Sequence, residues 1–370
     1  MQTPLAAWYA THGAVLVEDR GVELPERFTT PDDEYRAVRE RAGLIDLSFR
    51  SQVRMTGEDR VGFLQGMISN DVKTLKPGNG CAATLLTEQG RIVADLRVYA
   101  LETCFLLDVD ARIAEKFMAT LERFIIADDV EMEDLGLTYT TLSLQGPLAT
   151  QVLNAAAGSV ALAKEFSHGE VTIANTPVRV IRVSDTGEEG YDLLVPAPQA
   201  ASVWQHLLAI GAPLGLQPVG HAALNVLRIE AGVPWYGLDM DEGRIVLEVG
   251  FEQAISFKKG CYLGQEVVER VTARGQVNRK LCGLIMHGSE LPELGEKLRH
   301  GMNEVGEVGE VGWITSVAYS PRLQSPIALG YVRREQWASG TQLRIDRQGT
   351  PMIAELTTLP FPRERTAENR

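Results

Sequence analysis

Two segments of the chain repeat the same order of hydrophobic patterns, in which two strands are followed by a helix. Runs rich in β-branched residues alternate between apolar and polar positions, and a longer run of helical period comes next. The first segment comprises residues 91–101, 104–109 and 111–126, and the second comprises 178–184, 191–195 and 198–210. Consecutive strands followed by a helix are typical of sheets that carry helices on one face. The pattern therefore predicts an α+β fold rather than a doubly wound parallel sheet.

Further segments have the apolar spacing of amphipathic helices. These segments are 35–42, 59–69, 218–231 and 265–273. Gly43, Gly232 and Gly275 follow three of them, and glycine just after a periodic run is a common helix stop. We therefore expect helix ends at these glycines.

The pattern changes after residue 280, where short strand-like runs are separated by Gly, Pro and Ser. The runs are 281–286, 312–317, 327–332, 342–345 and 352–357. Several short strands with turn residues between them predict a small all-β barrel or sandwich. The triplet repeat VGEVGEVG at 305–312 is too short for a solenoid, so we expect a turn that leads into a strand. Residues 363–370 are polar and are expected to be a frayed tail.

Composition and charge narrow the class of protein. The chain has 370 residues, with 36 Lys and Arg against 49 Asp and Glu, and a net charge of −13 at pH 7. So acidic a chain is not expected to coat nucleic acid through phosphate neutralisation. No run approaches the roughly 18 apolar residues of a membrane helix, and the first residues lack a secretory pattern. Four scattered cysteines without a C-x-x-C pair predict a reducing cytoplasm and no disulfide framework or metal site.

The most unusual segment for chemistry surrounds Cys261. Cys261 precedes the helix predicted at 265–273, and Lys258 and Lys259 come just before it. Backbone N–H groups at a helix start and nearby lysines favour a thiolate over a thiol. Gly260 and Gly264 allow tight turns around the cysteine. The alternative is a small buried hydrophobic residue, which is the usual role of an isolated cysteine.

Two other segments have the composition of a binding site for a flat heterocycle. Glu188 lies in a glycine-flanked loop between two predicted strands, where its carboxylate could accept two hydrogen bonds from the edge of a pterin-like ring. Arg228 lies near a helix end and is followed by Trp235 and Tyr236, an arrangement that suits a ring with an acidic tail. The alternatives are an exposed hairpin tip for Glu188 and a surface arginine beside core aromatics for Arg228.

Several of these segments resemble the glycine-cleavage T-protein (aminomethyltransferase) superfamily over about residues 30 to 360. The matching segments are 42–48, 63–65, 69–72, 186–192, 227–232 and 236–237. Within that superfamily, the run KGCYLGQE at 259–266, followed by Arg274-Gly275 and Asn278-Arg279, is similar to the motif of YgfZ-type folate-binding proteins. The motif residues are Lys259, Gly260, Cys261, Tyr262, Gly264, Gln265, Glu266 and Arg274.

The resemblance implies a three-domain ring that holds tetrahydrofolate in a central hole. The implied domains are a discontinuous α+β folate-binding domain (1–50 and 136–225), a ferredoxin-like α+β domain (51–135 and 226–278) and a β-barrel domain (279–362), followed by the tail. Glu188 would hold the pterin, and Arg228 and Tyr236 would line the same cavity. Cys261 would be the functional thiol of a protein that assembles or repairs four-iron clusters, with an iron–sulfur scaffold or client protein as a partner.

One departure from the transferase pattern concerns mechanism. Aminomethyltransferases carry an Asp-Asp pair where this chain has Ala94 and Asp95, and the first aspartate is the one expected to serve folate chemistry. A methyl group cannot relay a proton, and strand alternation places Asp95 on the other face. Asp110 also stands where the transferases usually have Asn.

These features favour a folate-binding accessory protein for iron–sulfur cluster assembly or repair, which would not turn over a substrate as a conventional enzyme does. The main alternative is a folate-dependent aminomethyltransferase or related one-carbon transferase. A further alternative is a folate-binding module with an inert cysteine.

Overall fold

The computed structural model describes residues 3–19, 21–275, 277–300, 309–347 and 351–364. The chain divides into two compact units. The first unit comprises Met1–Leu224 and Gln253–Gln265, and the second comprises Asn225–Glu252 and Glu266–Arg370. None of the helices in the described ranges is both long and apolar enough to span a bilayer.

The first unit is built on two larger sheets and a two-stranded one. Its strands are β1 (Val15–Asp19), β2 (Val22–Arg27), β3 (Ala42–Asp46), β4 (Arg50–Thr56), β5 (Gly80–Leu86), β6 (Ile92–Ala100), β7 (Phe105–Asp110), β8 (Glu131–Asp134), β9 (Tyr139–Gln145), β10 (His168–Ile173), β11 (Thr176–Arg182), β12 (Gly190–Pro196) and β13 (Leu216–Val219). One larger sheet has the order β10-β11-β12-β9-β3-β13, and the other has the order β5-β6-β7-β4-β8. All pairs are antiparallel except β13 with β3.

Helices alternate with the strands along the chain. They are α1 (Ala6–Tyr9), α2 (Pro31–Glu40), α3 (Arg60–Met67), α4 (Ala114–Glu122), α5 (Ala149–Ala157), α6 (Ala200–Gly211), α7 (His221–Glu230), α8 (Val246–Val249) and α9 (Gln265–Arg274). Helices α5 and α6 pack their apolar faces on the six-stranded sheet, where Trp204 is fully buried among Leu and Val side chains. Each Å² of apolar surface that this contact removes from water stabilises the fold by about 25 cal/mol. The contact is therefore a main contribution to the stability of the first unit.

Helix α2 shows how the local sequence sets an element. Thr30 caps its first turn by accepting a hydrogen bond from the Asp33 N–H at 3.2 Å, and Pro31 occupies the first helical position. Glu34 is fully buried, and its carboxylate accepts hydrogen bonds from the N–H groups of Phe28 at 2.6 Å and Gly220 at 2.8 Å. These bonds satisfy a buried charge and attach the helix to two neighbouring segments.

The second unit contains a closed barrel. Its strands are β14 (Arg279–His287), β15 (Lys297–His300), β16 (Gly309–Ser320), β17 (Ser325–Arg333), β18 (Gln342–Ile345) and β19 (Met352–Thr357). They follow the order β14-β17-β16-β15-β18-β19, and β19 pairs with β14 to close the barrel. Alternate residues such as Leu284, Leu298, Leu343 and Ala354 fill the interior.

The structure confirms most of the predicted elements and corrects one. Both strand–strand–helix units are present, as β6-β7-α4 and β11-β12-α6. The helix stop predicted at Gly43 is wrong, because Gly43 is buried within β3. A Cβ there would lie 2.5 Å from Val38 Cγ2, so this glycine serves close helix–sheet packing. Residues 305–308 of the triplet repeat and 365–370 of the predicted tail lie outside the described residues.

Candidate functional site

The two larger sheets of the first unit face each other. Tyr99 and Leu106 of the five-stranded sheet belong to the same buried cluster as Ile181 and Leu194 of the six-stranded sheet. Because strand side chains alternate between faces, Asp95 and Arg97 share a face of β6 with Tyr99. The inter-sheet space is therefore apolar around Tyr99 and becomes polar farther along the same strands.

This polar part of the inter-sheet space is here named the polar layer. It comprises Arg50, Gln52, Asp95, Arg97, Asp108, Asp110, Asp185 and Asp192. Strand register places Arg97 beside Asp108 and Arg50 beside Asp110. Asp108 accepts hydrogen bonds from Arg50 Nε and from Gln52 Nε2, the latter at 2.6 Å. Carboxylates outnumber guanidinium groups in this layer, even when Arg112, which binds Asp110, is included.

Asp95 and Asp192 are the two carboxylates of this layer with a buried oxygen atom that has no hydrogen-bond partner among the described residues, and Asp95 is considered first. Its Oδ1 atom is buried and has no hydrogen-bond partner within the described part of the chain. Burial raises the pKa of the Asp95 carboxyl, with a contribution from Asp110 in the same direction, whereas Arg50 and Arg97 oppose the shift. A carboxyl in this state can hold a proton or accept one from a molecule placed against it.

The position of Ala94 corrects the sequence argument about proton handling. Ala94 is fully buried in the hydrophobic core, on the face of β6 opposite to Arg97. The methyl group therefore replaces no group of the polar layer. Asp95 does lie on the opposite face from Ala94, as expected, but that face is the polar one.

Arg97 connects the two sheets through a pair of carboxylates. Its guanidinium contacts Asp192 at 2.8 Å and also forms an ion pair with Asp185. Burial and the neighbouring Asp185 raise the pKa of Asp192 to about 7, against the opposing effect of Arg97. Two carboxylates thus share one cation in a buried environment, and the layer can hold a proton near neutral pH.

Glu188 lies on the loop between β11 and β12, beside the polar layer's Asp185. Arg39 of α2 donates a hydrogen bond to Glu188 Oε1 at 2.8 Å and another to the Thr186 carbonyl at 2.8 Å. Gln145 Oε1 accepts from Thr186 Oγ1 at 3.1 Å and from the Asp185 N–H at 3.3 Å. The Glu188 side chain is 18% exposed, so a small molecule can reach a carboxylate that is already oriented.

Arg228 and Tyr236 lie in the second unit. Arg228 is buried and contacts Asp239 at 2.5 Å and Ser316 Oγ at 2.6 Å, with its guanidinium 4.6 Å from the centre of the Trp235 ring. Tyr236 is half-buried and forms an isolated bridge with Met240. The expectation that these two residues share a cavity with Glu188 stays a prediction.

The motif loop, residues 259–266, is held by backbone contacts. Lys259 Nζ donates to the carbonyls of Ile68 at 2.6 Å and Asn70 at 2.8 Å, and burial lowers the pKa of this lysine to about 8. Tyr262 is buried, and its N–H donates to Gln265 Oε1 at 3.1 Å. Gly260 and Glu266 are exposed, and Arg274 is the last residue of α9. Lys259, Tyr262 and Gln265 therefore anchor the loop.

Cys261 is exposed on this anchored loop. Helix α9 begins only at Gln265, so the cysteine precedes its first turn. Cys104 and Cys282 are buried, whereas Cys81 is partly buried and its pKa is raised to about 12 by burial. The described residues contain no cluster of three or more His, Cys, Asp and Glu side chains that could hold a metal ion.

Comparison with known proteins identifies the family. The GCVT N-terminal domain matches residues 5–259, and the glycine cleavage T-protein C-terminal barrel domain matches residues 279–362. The chain belongs to the glycine cleavage T-protein family. The motif segment 260–278 lies between the two matched regions, so neither family description covers Cys261.

Several relatives of this chain are named aminomethyltransferases. The aminomethyltransferase of Geobacillus kaustophilus is 34% identical over 98% of this chain and 98% of its own length. That of Streptomyces coelicolor is 31% identical over 97% of each chain. The crystal structure of the glycine cleavage system aminomethyltransferase T from Bartonella henselae has a TM-score of 0.88 at 25% identity and covers 99% of both chains. The fold is therefore that of the family, and these relatives carry the transferase name rather than the YgfZ name.

The polar layer is the part of the site that sequence reasoning missed. Asp95, Arg97 and Tyr99 alternate along one strand, and this spacing places all three on one face. The signal was present in the sequence, but a single strand does not show which of its faces meets a second sheet.

Proposed function

We propose that this chain is a folate-dependent one-carbon transferase of the aminomethyltransferase type, with tetrahydrofolate as substrate. The observation that carries the proposal is the buried, unpartnered Oδ1 of Asp95 in a layer with excess carboxylates. Tetrahydrofolate supplies nitrogen atoms that accept a one-carbon unit and change their proton and charge state as they do so. A carboxyl with a raised pKa beside those atoms suits that chemistry.

The residues present fit such a substrate. Glu188 would accept hydrogen bonds from the N–H edge of the pterin, and Arg39 keeps its carboxylate in one orientation. Asp95 would hold or move a proton at Oδ1. Arg97 fixes Asp185 and Asp192 and keeps the two sheets together around this chemistry. The donor of the one-carbon unit in this reading is an aminomethylated lipoyl carrier protein.

Calorimetric titration with tetrahydrofolate tests the binding half of the proposal. Glu188→Ala should weaken binding about tenfold or more, because charge-assisted hydrogen bonds are worth roughly 1.5–3 kcal/mol. The neighbouring Glu189→Ala is the matched control, since Glu189 pairs with Arg182 at 3.3 Å near the surface. Equal affinities for the wild type and both variants would contradict the assigned role of Glu188.

A second candidate function rests on Cys261. This thiol is exposed on a loop that Lys259 holds in place, and the surrounding residues resemble the YgfZ-type motif. An accessory protein for iron–sulfur cluster assembly or repair would use such a thiol toward a scaffold or client protein, with folate bound elsewhere in the same chain. The transferase names of the relatives favour the first proposal.

Complementation separates the two candidates. Cys261→Ser and Asp95→Asn are each expressed in a strain that lacks the protein, and both methylene-tetrahydrofolate production and the activity of a four-iron enzyme are measured. The transferase proposal predicts that Cys261→Ser retains methylene-tetrahydrofolate production, whereas Asp95→Asn loses it. A strain that needs Cys261 for four-iron enzyme activity, but not Asp95, would instead support the accessory function.

A further inference from the structure

A cavity opens in the inter-sheet space on the side of Tyr99 away from the polar layer. It has a volume of about 350 Å³, and its charged lining residues are Arg54, Arg179, Glu133 and Glu170. We name it the far pocket. Residues Tyr99, Leu106 and Leu194 lie in the apolar layer that separates it from the polar layer. The far pocket is therefore distinct from the candidate folate site, although both are bounded by the same two sheets.

Six of the thirteen residues that line the far pocket are leucines or prolines. Leu101, Leu135 and Pro177 extend the surface formed by Leu106 and Leu194. A cavity of this size with an aliphatic portion suits a small ring or a short hydrocarbon chain that also carries a polar group. Apolar walls alone do not select a ligand, so the polar groups of the pocket decide its class.

Arg179 supplies a cation that is poorly neutralised. Its side chain is 19% exposed, and the ion pair it makes within the described residues is a 3.5 Å contact with Glu170, whose side chain is 63% exposed. Arg179 Nη1 also donates to His168 Nδ1 at 3.2 Å, and burial together with Arg179 lowers the pKa of His168 to about 4. His168 is therefore neutral at pH 7 and adds no charge beside the guanidinium.

Arg54 brings a second guanidinium to the same cavity. It pairs with Glu133, and both side chains are about half exposed. Burial raises the pKa of the Cys104 thiol, whereas Arg54 and Arg179 both act to lower it, as expected for two cations directed toward this part of the pocket. Exposed ion pairs at a pocket rim are weak and exchange readily with a ligand carboxylate.

We propose that the far pocket binds a small apolar carboxylate, with its hydrocarbon part against the leucines and its carboxylate on Arg179. A planar guanidinium binds a carboxylate through two parallel hydrogen bonds, which are stronger than a single contact at 3.5 Å. Displacement of Glu170 costs little because that side chain is mostly exposed. Binding at the far pocket requires neither bound folate nor the Cys261 thiol.

A matched ligand series tests this inference on the whole chain without folate. Phenylbutyrate, phenylbutanol and phenylbutylamine share one apolar group and differ in charge. Calorimetry should show that the acid binds at least about tenfold more tightly than the alcohol, and that the amine binds more weakly than either. Similar affinities for acid and alcohol, or no binding of the acid at millimolar concentration, would overturn the proposal.

Variants and a thiol readout locate the binding. Arg179→Gln should lower the affinity for phenylbutyrate about tenfold and leave phenylbutanol unchanged, whereas the exposed Arg36→Gln should change neither. Arg179→Lys keeps the charge and should recover part of the affinity. It also tests the proposal if Arg179→Gln does not fold.

A thiol readout locates the ligand independently. Phenylbutyrate should slow alkylation of Cys104 in peptide mass spectrometry, with exposed Cys261 as the internal reference. Unchanged alkylation of Cys104 at saturating acid would place the ligand elsewhere and refute the assignment.

Discussion

At the scale of single residues, an unpartnered buried carboxylate oxygen beside other charged groups is the feature that we connect with chemistry. Arg228 and Glu34 are also buried charges, but each is fully engaged with neighbouring groups, as structural charges are. Asp95 differs from these two because one of its oxygen atoms is buried and has no partner within the described residues, a condition that it shares with Asp192 in the same layer. A group in this condition costs stability and is retained where it serves a reaction.

His168 provides a residue-scale prediction about pH. Its pKa is lowered to about 4 from the usual 6.5, so the folded protein binds fewer protons there than the unfolded chain between these two values. Its contribution to stability is complete above pH 6.5 and is lost as the pH falls toward 4, with a magnitude of up to about 3 kcal/mol.

Urea unfolding of wild type and His168→Gln between pH 4 and pH 7 measures this effect. The wild type should lose more stability on acidification than the variant, and His300→Gln, at an exposed position, controls for loss of a histidine. Parallel pH profiles for wild type and His168→Gln would show that the histidine keeps its ordinary pKa in the folded state.

At the scale of elements, the two glycines of the motif loop differ in how far the fold depends on them. Gly264 has φ +79°, and a Cβ there would lie 2.4 Å from the Thr87 carbonyl oxygen and 2.9 Å from Leu86 Cβ. A Cβ on Gly260 would meet nothing within 4 Å. Only one of these two motif glycines is therefore required by packing and backbone conformation.

Gly264→Ala and Gly260→Ala form a matched pair. Gly264→Ala should destabilise the fold by about 2 kcal/mol or more, through the left-handed backbone and the clash with β5. Gly260→Ala should stay within about 0.5 kcal/mol of the wild type. Chemical denaturation measures both, and equal free energies of unfolding would show that the loop does not depend on Gly264.

At the scale of the whole molecule, the sequence predicted the architecture better than the site. The strand–strand–helix units and the barrel strands follow directly from residue periodicity, because each element carries its own pattern. The polar layer depends on which strands pair and which faces meet, as with Asp95 of β6 and Asp192 of β12 on separate sheets. No single segment contains that information, so the sequence alone does not show that Asp95 rather than position 94 faces the second sheet.

The resemblance to known families is also informative for the whole molecule. It predicted the superfamily and the fold, which the domain matches and the Bartonella henselae structure confirm. The narrower assignment to YgfZ-type proteins depended on a motif that falls between the two matched domains. The roles of Glu188, Arg228, Tyr236 and Cys261 and the boundaries of the three domains remain predictions.

The central claim is that Asp95 carries the proton chemistry of a folate-dependent transferase. Single-turnover formation of methylene-tetrahydrofolate from an aminomethylated lipoyl carrier protein tests it most directly. Asp95→Asn should slow this step by about 10²–10⁴-fold while tetrahydrofolate affinity changes little, and Ala94→Ser, on the opposite face of β6, should not slow it comparably. An Asp95→Asn protein as fast as the wild type, or a wild type no faster than the reaction in solution, would contradict the account.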